Sequence, residues 1–148
     1  MTILVVRPVP AGDRNAVVAS FPVLAPALQQ TESATIWAAV DGAAIVAAMV
    51  VQKIEFANQL LAIAVAPARQ RTGLGEESLR LLVATTAPRP LTVEATPECV
   101  SFYRKCGFRL ISKRLGATGE TVSRMAMHAP VTERPLLITG TRNGVTPE

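Results

Sequence analysis

Between two runs of β-branched and small apolar residues, Thr35–Val40 and Ala43–Lys53, the chain places Asp41-Gly42. An Asp-Gly pair in that setting is among the strongest local signals for a β-hairpin, because the tight turns that match strand twist need positive φ. The pair commits the middle of the chain to antiparallel sheet. Ile3–Arg7 reads as an earlier strand, stopped by Pro8 and Pro10. Leu60–Val65 reads as a later one, antiparallel to its predecessor and stopped by Pro67. Ala11–Leu28 has helical composition interrupted by Pro22 and Pro26, which predicts one helix and a short second one.

Beyond Pro67 the pattern changes. Gly73–Ala87 reads as a helix with Glu76 and Glu77 in its first turn, where the macrodipole favours acids. Leu91–Ala95 is a further strand. Thr96-Pro97, an N-cap followed by proline at the first helical position, opens a helix over Pro97–Cys106 that Gly107 closes. Phe108–Lys113 and Thr121–His128 supply the last two strands. The order βα(α)βββαβαββ predicts an α+β fold, a mostly antiparallel sheet with one parallel crossover from Leu60–Val65 to Leu91–Ala95.

With 148 residues, 49% hydrophobic and 18% charged, the chain suits one packed domain, expected over residues 1–130. The polar stretch 131–148 is expected to be a loose or interface-forming tail. The apolar runs Ala43–Val51 and Leu60–Ala68 fall short of the ~20 residues of a membrane span, and MTILVVRPVP lacks the long apolar segment of a signal peptide. A soluble, cytoplasmic protein without membrane partners is expected. Cys99 and Cys106 share one helix about 10 Å apart, too far for a disulfide. A single histidine, His128, provides no zinc-ligand set, so no metal is expected. The net charge of +4 favours anionic partners, phosphate-bearing cofactors as well as nucleic acid. Aromatic content of 4% argues against a platform for stacking single-stranded nucleic acid.

The junction QRTGLG, residues 70–75, sits between a strand and a helix N-terminus. It is neither a dinucleotide fingerprint nor a P-loop. What it offers is about four unpaired helix N–H groups, glycines that let a bulky anion approach, and nearby Arg69 and Arg71. The residues alone leave two readings open, a phosphate site and an ordinary strand-to-helix turn.

Context bears on that choice. The stretch LLAIAVAPARQRTGLGEESLRLL resembles the acyl-CoA-binding motif of the GNAT superfamily of N-acetyltransferases. In that motif a strand ends in valine (Val65) shortly before a proline (Pro67), and Q/R-x-x-G-x-G/A (Gln70, Gly73, Gly75) opens a helix. ATPECVSFYRKCGFRL resembles the later motif of that family, a short helix carrying tyrosine and ending in Gly-Phe. The resemblance implies a central sheet splayed between its fourth and fifth strands, and acetyl-CoA as co-substrate. It further implies that Gln70, Arg71, Thr72, Gly73, Leu74 and Gly75 hold the pyrophosphate. The pantetheine arm then runs like an added strand along Ile63, Ala64 and Val65. Thr96 stands where many members have a cofactor-contacting asparagine. Tyr103 occupies the position from which members protonate the leaving sulfur, although Cys99, Phe102, Tyr103 and Cys106 also form one apolar stripe at helical spacing.

Acetyl transfer to an amine needs a neutral amine, a donor for the developing oxyanion and a proton for the departing thiolate. The Val65 N–H is the candidate oxyanion donor. For the base, alignment puts Gln59 where histone-acetylating members have glutamate, and glutamine cannot accept the proton. Glu55, Glu94 and His128 are the side-chain candidates, and a water relay is the alternative. The expected function is acetyl-CoA-dependent N-acetylation of a primary amine on a small molecule or protein, with a homodimer as a common family arrangement. Two further readings are an acyl-CoA-binding module with little catalysis and a toxin-like acetylation of aminoacyl-tRNA.

Overall fold

The structure, a computed structural model, describes residues 3–129. Its strands are β1 (Leu4–Pro8), β2 (Ala34–Asp41), β3 (Ala44–Ile54), β4 (Ala57–Val65), β5 (Leu91–Ala95), β6 (Arg109–Leu115) and β7 (Thr121–Met127). They form one sheet in the order β1-β2-β3-β4-β5-β7-β6. β1 to β4 pair antiparallel, as do β5 with β7 and β7 with β6. β4 and β5 run parallel, joined by the crossover predicted from the sequence. The stretch 131–148 lies outside the described residues.

The hairpin signal was right in kind and one residue out in place. β2 runs through Asp41, and the turn is Gly42–Ala43 with Gly42 at φ 65°. β4 begins at Ala57, three residues earlier than its apolar run, because polar Asn58 and Gln59 pair with Lys53 and Gln52.

Helices cover both faces of the central strands, so β3 is buried continuously from Val46 to Val51 instead of alternating. On one face α3 (Leu74–Thr85) and α4 (Pro97–Cys106) pack on Met49, Val51, Leu60, Leu91 and Met125 through Leu79, Leu82 and Cys106. On the other, α1 (Arg14–Ser20) and α2 (Ala25–Gln30) flank a connector that seats Phe21 and Leu24 against Ile36, Ala48 and Val50. Pro22 ends α1 and opens that connector as a short 3-10 turn. Gly107 closes α4 at φ 113°, the left-handed cap its position predicts.

Two features shape the middle of the sheet. Val51 faces Leu60 and Val50 faces Ala62, so Leu61 is an extra residue, a bulge in β4. β4 touches β5 over only three residue pairs, Asn58 with Leu91 through Leu60 with Val93. Past that point the fourth and fifth strands part.

Candidate functional site

The parting leaves one edge of β4 without a neighbouring strand. Register decides which groups it exposes. The Ala66 N–H donates to the Val46 carbonyl at 2.8 Å. Antiparallel alternation therefore turns Ala64 and Ala62 toward β3, and Ile63 and Val65 toward the open edge. The Gln70 side-chain amide donates to the Val65 carbonyl at 3.2 Å. The N–H groups of Ile63 and Val65 and the carbonyl of Ile63 face the gap.

The open edge leads straight into the turn. Arg71 (φ 65°) and Gly73 (φ 81°) are both left-handed, a conformation uncommon at a non-glycine residue and shared among the described residues by Phe56 in the β3–β4 turn. Gly73 is the N-cap of α3 and has no side chain to cap it. The first intrahelical bond is Glu77 N–H to the Gly73 carbonyl, which leaves the amides of Leu74, Gly75 and Glu76 unspent within the helix. At Gly75 a Cβ would meet Phe102 Cζ and Val65 Cγ2, both at 3.5 Å, so strand, turn and α4 converge on this residue.

A cavity of about 860 Å³ follows this path. Ile63, Ala64, Val65, Gln70, Arg71, Gly73, Leu74 and Gly75 all line it. Its opposite wall is the α1–α2 connector, Ser20 to Val23, and Phe102 with Lys105 of α4 closes the third side. Thr72 is not on the wall, because its hydroxyl donates back to the Arg69 carbonyl and staples the turn. Nor is Thr96, which sits at the N-cap of α4 with its hydroxyl on Cys99 Sγ at 3.6 Å.

The local charges are partly spent. Arg69 is tied to Asp41 at 3.0 Å, and Glu76 to Arg80 at 2.6 Å. Arg71 is exposed and, with Lys105, is free of ion pairs among the described residues, so the turn keeps a positive bias.

Tyr103 lies next to the wall and not in it. Its ring packs edge-on between Phe102 (centroids 5.1 Å apart) and Phe108 (5.2 Å). Burial, then the neighbouring thiols of Cys99 and Cys106, push its hydroxyl up to about 12. It stays protonated across the physiological range.

The proposed bases are scattered. Glu55 is exposed in the turn between β3 and β4, at the far end of β4 from Val65, about 30 Å at 3.3 Å per strand residue. The structure does not bring it to the cavity. Glu94 is held by Arg114 at 2.7 Å, and His128 is exposed just past β7. Glu76 is the only carboxylate on the wall among the described residues, and its oxygen is committed to Arg80.

Two parts of the site escaped the sequence reading. Phe102 fell into the helical apolar stripe and reads as core, yet it is 40% exposed and walls the cavity. The connector Phe21–Val23 carried no signal beyond its proline.

Comparison with known proteins places this geometry. The sequence matches a family model described as an acetyltransferase (GNAT) domain over residues 16–129. No curated protein matches the chain. Among solved structures, the chain is similar to an IAA acetyltransferase from Bacillus cereus ATCC 14579, with 21% identity over 85% of this chain and 99% of that one and a TM-score of 0.62. A GNAT family acetyltransferase from Elizabethkingia anophelis, solved with acetyl-CoA bound, gives 18% identity over 84% and 97% and a TM-score of 0.65. The ribosomal-protein-S18-alanine N-acetyltransferase from Escherichia coli gives 19% identity over 91% and 100% and a TM-score of 0.62. At such identities the likeness shows the fold.

Proposed function

Since the chain belongs to the acetyltransferase (GNAT) domain family, we propose that it is an acetyl-CoA-dependent N-acetyltransferase acting on a primary amine of a small molecule or protein. One observation carries this reading: the open edge of β4 runs into the uncapped N-terminus of α3 within a single cavity. The Escherichia coli relative, named for an alanine N-acetyltransferase activity, and the Elizabethkingia relative, holding acetyl-CoA, agree with it.

The residues suit the co-substrate. The amides from Gln70 to Gly75 take the diphosphate, with Arg71 adding charge and Gly73 and Gly75 leaving room for close approach. Ile63 and Val65 offer alternating donors and acceptors to the amide-bearing arm, as an edge strand does to a peptide. When bound, acetyl-CoA supplies the activated acetyl group. The Val65 N–H then serves as donor to developing negative charge on the acyl oxygen, leaving the Ile63 groups to the arm. Tyr103 holds a proton beside them. The acceptor amine enters against Phe21–Val23 and loses its proton to water, because no uncommitted carboxylate lines the cavity among the described residues.

The test is thiol release from acetyl-CoA against a panel of amines. Acetylation of at least one amine supports the reading. CoA binding without thiol release for any amine favours an acyl-CoA-binding module instead.

A further inference from the structure

A second cavity, of about 320 Å³, opens on the α3 face at the other end of that helix from the turn. The twelve residues of α3 separate the two by about 18 Å. Its wall brings together Thr35 and Trp37 of β2, Lys53 of β3, Asn58 of β4, Thr86 after α3, and Arg89 in the connector to β5. Nothing in the acetyl-transfer reading uses these groups.

Three observations say what it takes. Asn58 is only 8% exposed, and its side-chain amide lines the cavity with no hydrogen bond to another described residue, its polar atoms open to whatever fills that space. An amide so placed can donate to or accept from a ligand atom or water in the cavity. Arg89 donates through Nη1 to the carbonyls of Ile54 (2.7 Å) and Ala57 (2.8 Å), which fixes its guanidinium and leaves its other side-chain nitrogens without an acceptor among the described residues. Neither Arg89 nor Lys53 is in an ion pair, since the three pairs among the described residues are Arg69–Asp41, Arg80–Glu76 and Arg114–Glu94. Finally, the half-buried indole of Trp37 gives the cavity a flat aromatic wall. Two cations without ion pairs among the described residues, an accessible amide and an aromatic side chain share a volume near the lower limit of ligand sites.

We infer that this cavity is a second binding site, for a small aromatic carboxylate, with the carboxylate on Arg89 and Lys53 and the ring against Trp37. The preference for a carboxylate follows from the two cations and the fixed guanidinium fork, which suits a planar anion. The preference for a ring follows from Trp37.

Benzoate is a suitable probe. A ligand of its size is expected to bind at about 1 mM, so the full chain is titrated to about 10 mM by calorimetry. The expected result is saturable binding of benzoate, with benzamide about tenfold weaker or more. Lys53→Glu should also weaken benzoate about tenfold while leaving the melting temperature unchanged, Lys53 being exposed. Saturating CoA should leave benzoate affinity within about twofold. Absence of benzoate binding, equal affinity for benzamide, indifference to Lys53→Glu, or displacement by CoA would each overturn the assignment. Because the site lies apart from the acetyl-transfer cleft, a catalytically inert protein that still binds benzoate upholds it.

Discussion

At Tyr103 the environment that preserves the proton also weakens it as an acid. Burial raises the hydroxyl to about 12, and the Cys99 and Cys106 thiols push the same way. That lies roughly 3 units above the ~8.5 of a free thiol, so full transfer to a departing thiolate is uphill and hydrogen-bond donation is the better description. Tyr103→Phe is expected to lower kcat by about 10- to 100-fold and leave CoA affinity within about twofold. Unchanged kcat removes the residue from the chemistry. Because the folded pKa is raised, the protonated form is the one the fold favours. Its contribution to stability is complete below about pH 10 and lost as pH climbs toward 12. An alkaline limb at pH 8 to 9 therefore belongs to another group.

Cys106 is 1% exposed, and burial pushes its thiol up to about 11. Ellman's reagent on the native protein should modify Cys99 at most, and rapid reaction of both cysteines contradicts that packing. Ser78 is fully buried in α3 with no partner for its hydroxyl among the described residues. Ser78→Ala should raise stability by about 1 kcal/mol, read as a higher melting temperature. The packing of Tyr103 on one helical face and the Gly107 cap were legible from local spacing, whereas the isolation of Ser78 and the exposure of Phe102 depend on neighbours far along the chain.

At the scale of elements, β4 and the turn after it carry the proposed site. Alternation makes a sharp prediction for amide exchange. The N–H groups of Ile63 and Val65 should exchange fast in the free protein and slow down on adding CoA, while those of Ala62 and Ala64 should be slow throughout. Equal protection of all four would mean that the edge is closed. The strand–turn–helix order was readable because Val65, Pro67, the glycines and the acidic first turn act within a few residues of one another. The splay between the fourth and fifth strands came through from the family resemblance alone, and the Leu61 bulge not at all, since both arise from pairing with β3 and β5. The hairpin shift has the same origin: Asp41 stays in its strand, and its carboxylate meets Arg69, 28 positions away.

For the molecule as a whole, the telling fact is where the carboxylates are not. Glu55 sits at the far end of the sheet, Glu94 is bound to Arg114, and Glu76 to Arg80. On the proposed water relay, with no uncommitted carboxylate on the cavity wall among the described residues, kcat/KM should rise tenfold per pH unit and level off at the pKa of whichever acceptor amine is used. An inflection fixed at pH 6 to 7 for every acceptor would reveal a base in the protein. The order of strands and helices came through from the sequence because each element keeps its own period and stop signals. The wall made by Phe21–Val23 did not, because an aperiodic, proline-broken connector does not announce which strand it will cover.

The most direct measurement is calorimetric titration of CoA into the protein and into Gly75→Glu. Gly75 is helical, and a Cβ there makes only ordinary 3.5 Å contacts, so the variant should fold while placing a carboxylate in the cavity. One CoA per chain, with affinity reduced at least about a hundredfold in the variant, is the predicted result. No heat with the unaltered protein, or equal affinity for both, would contradict a diphosphate seat at residues 70–75.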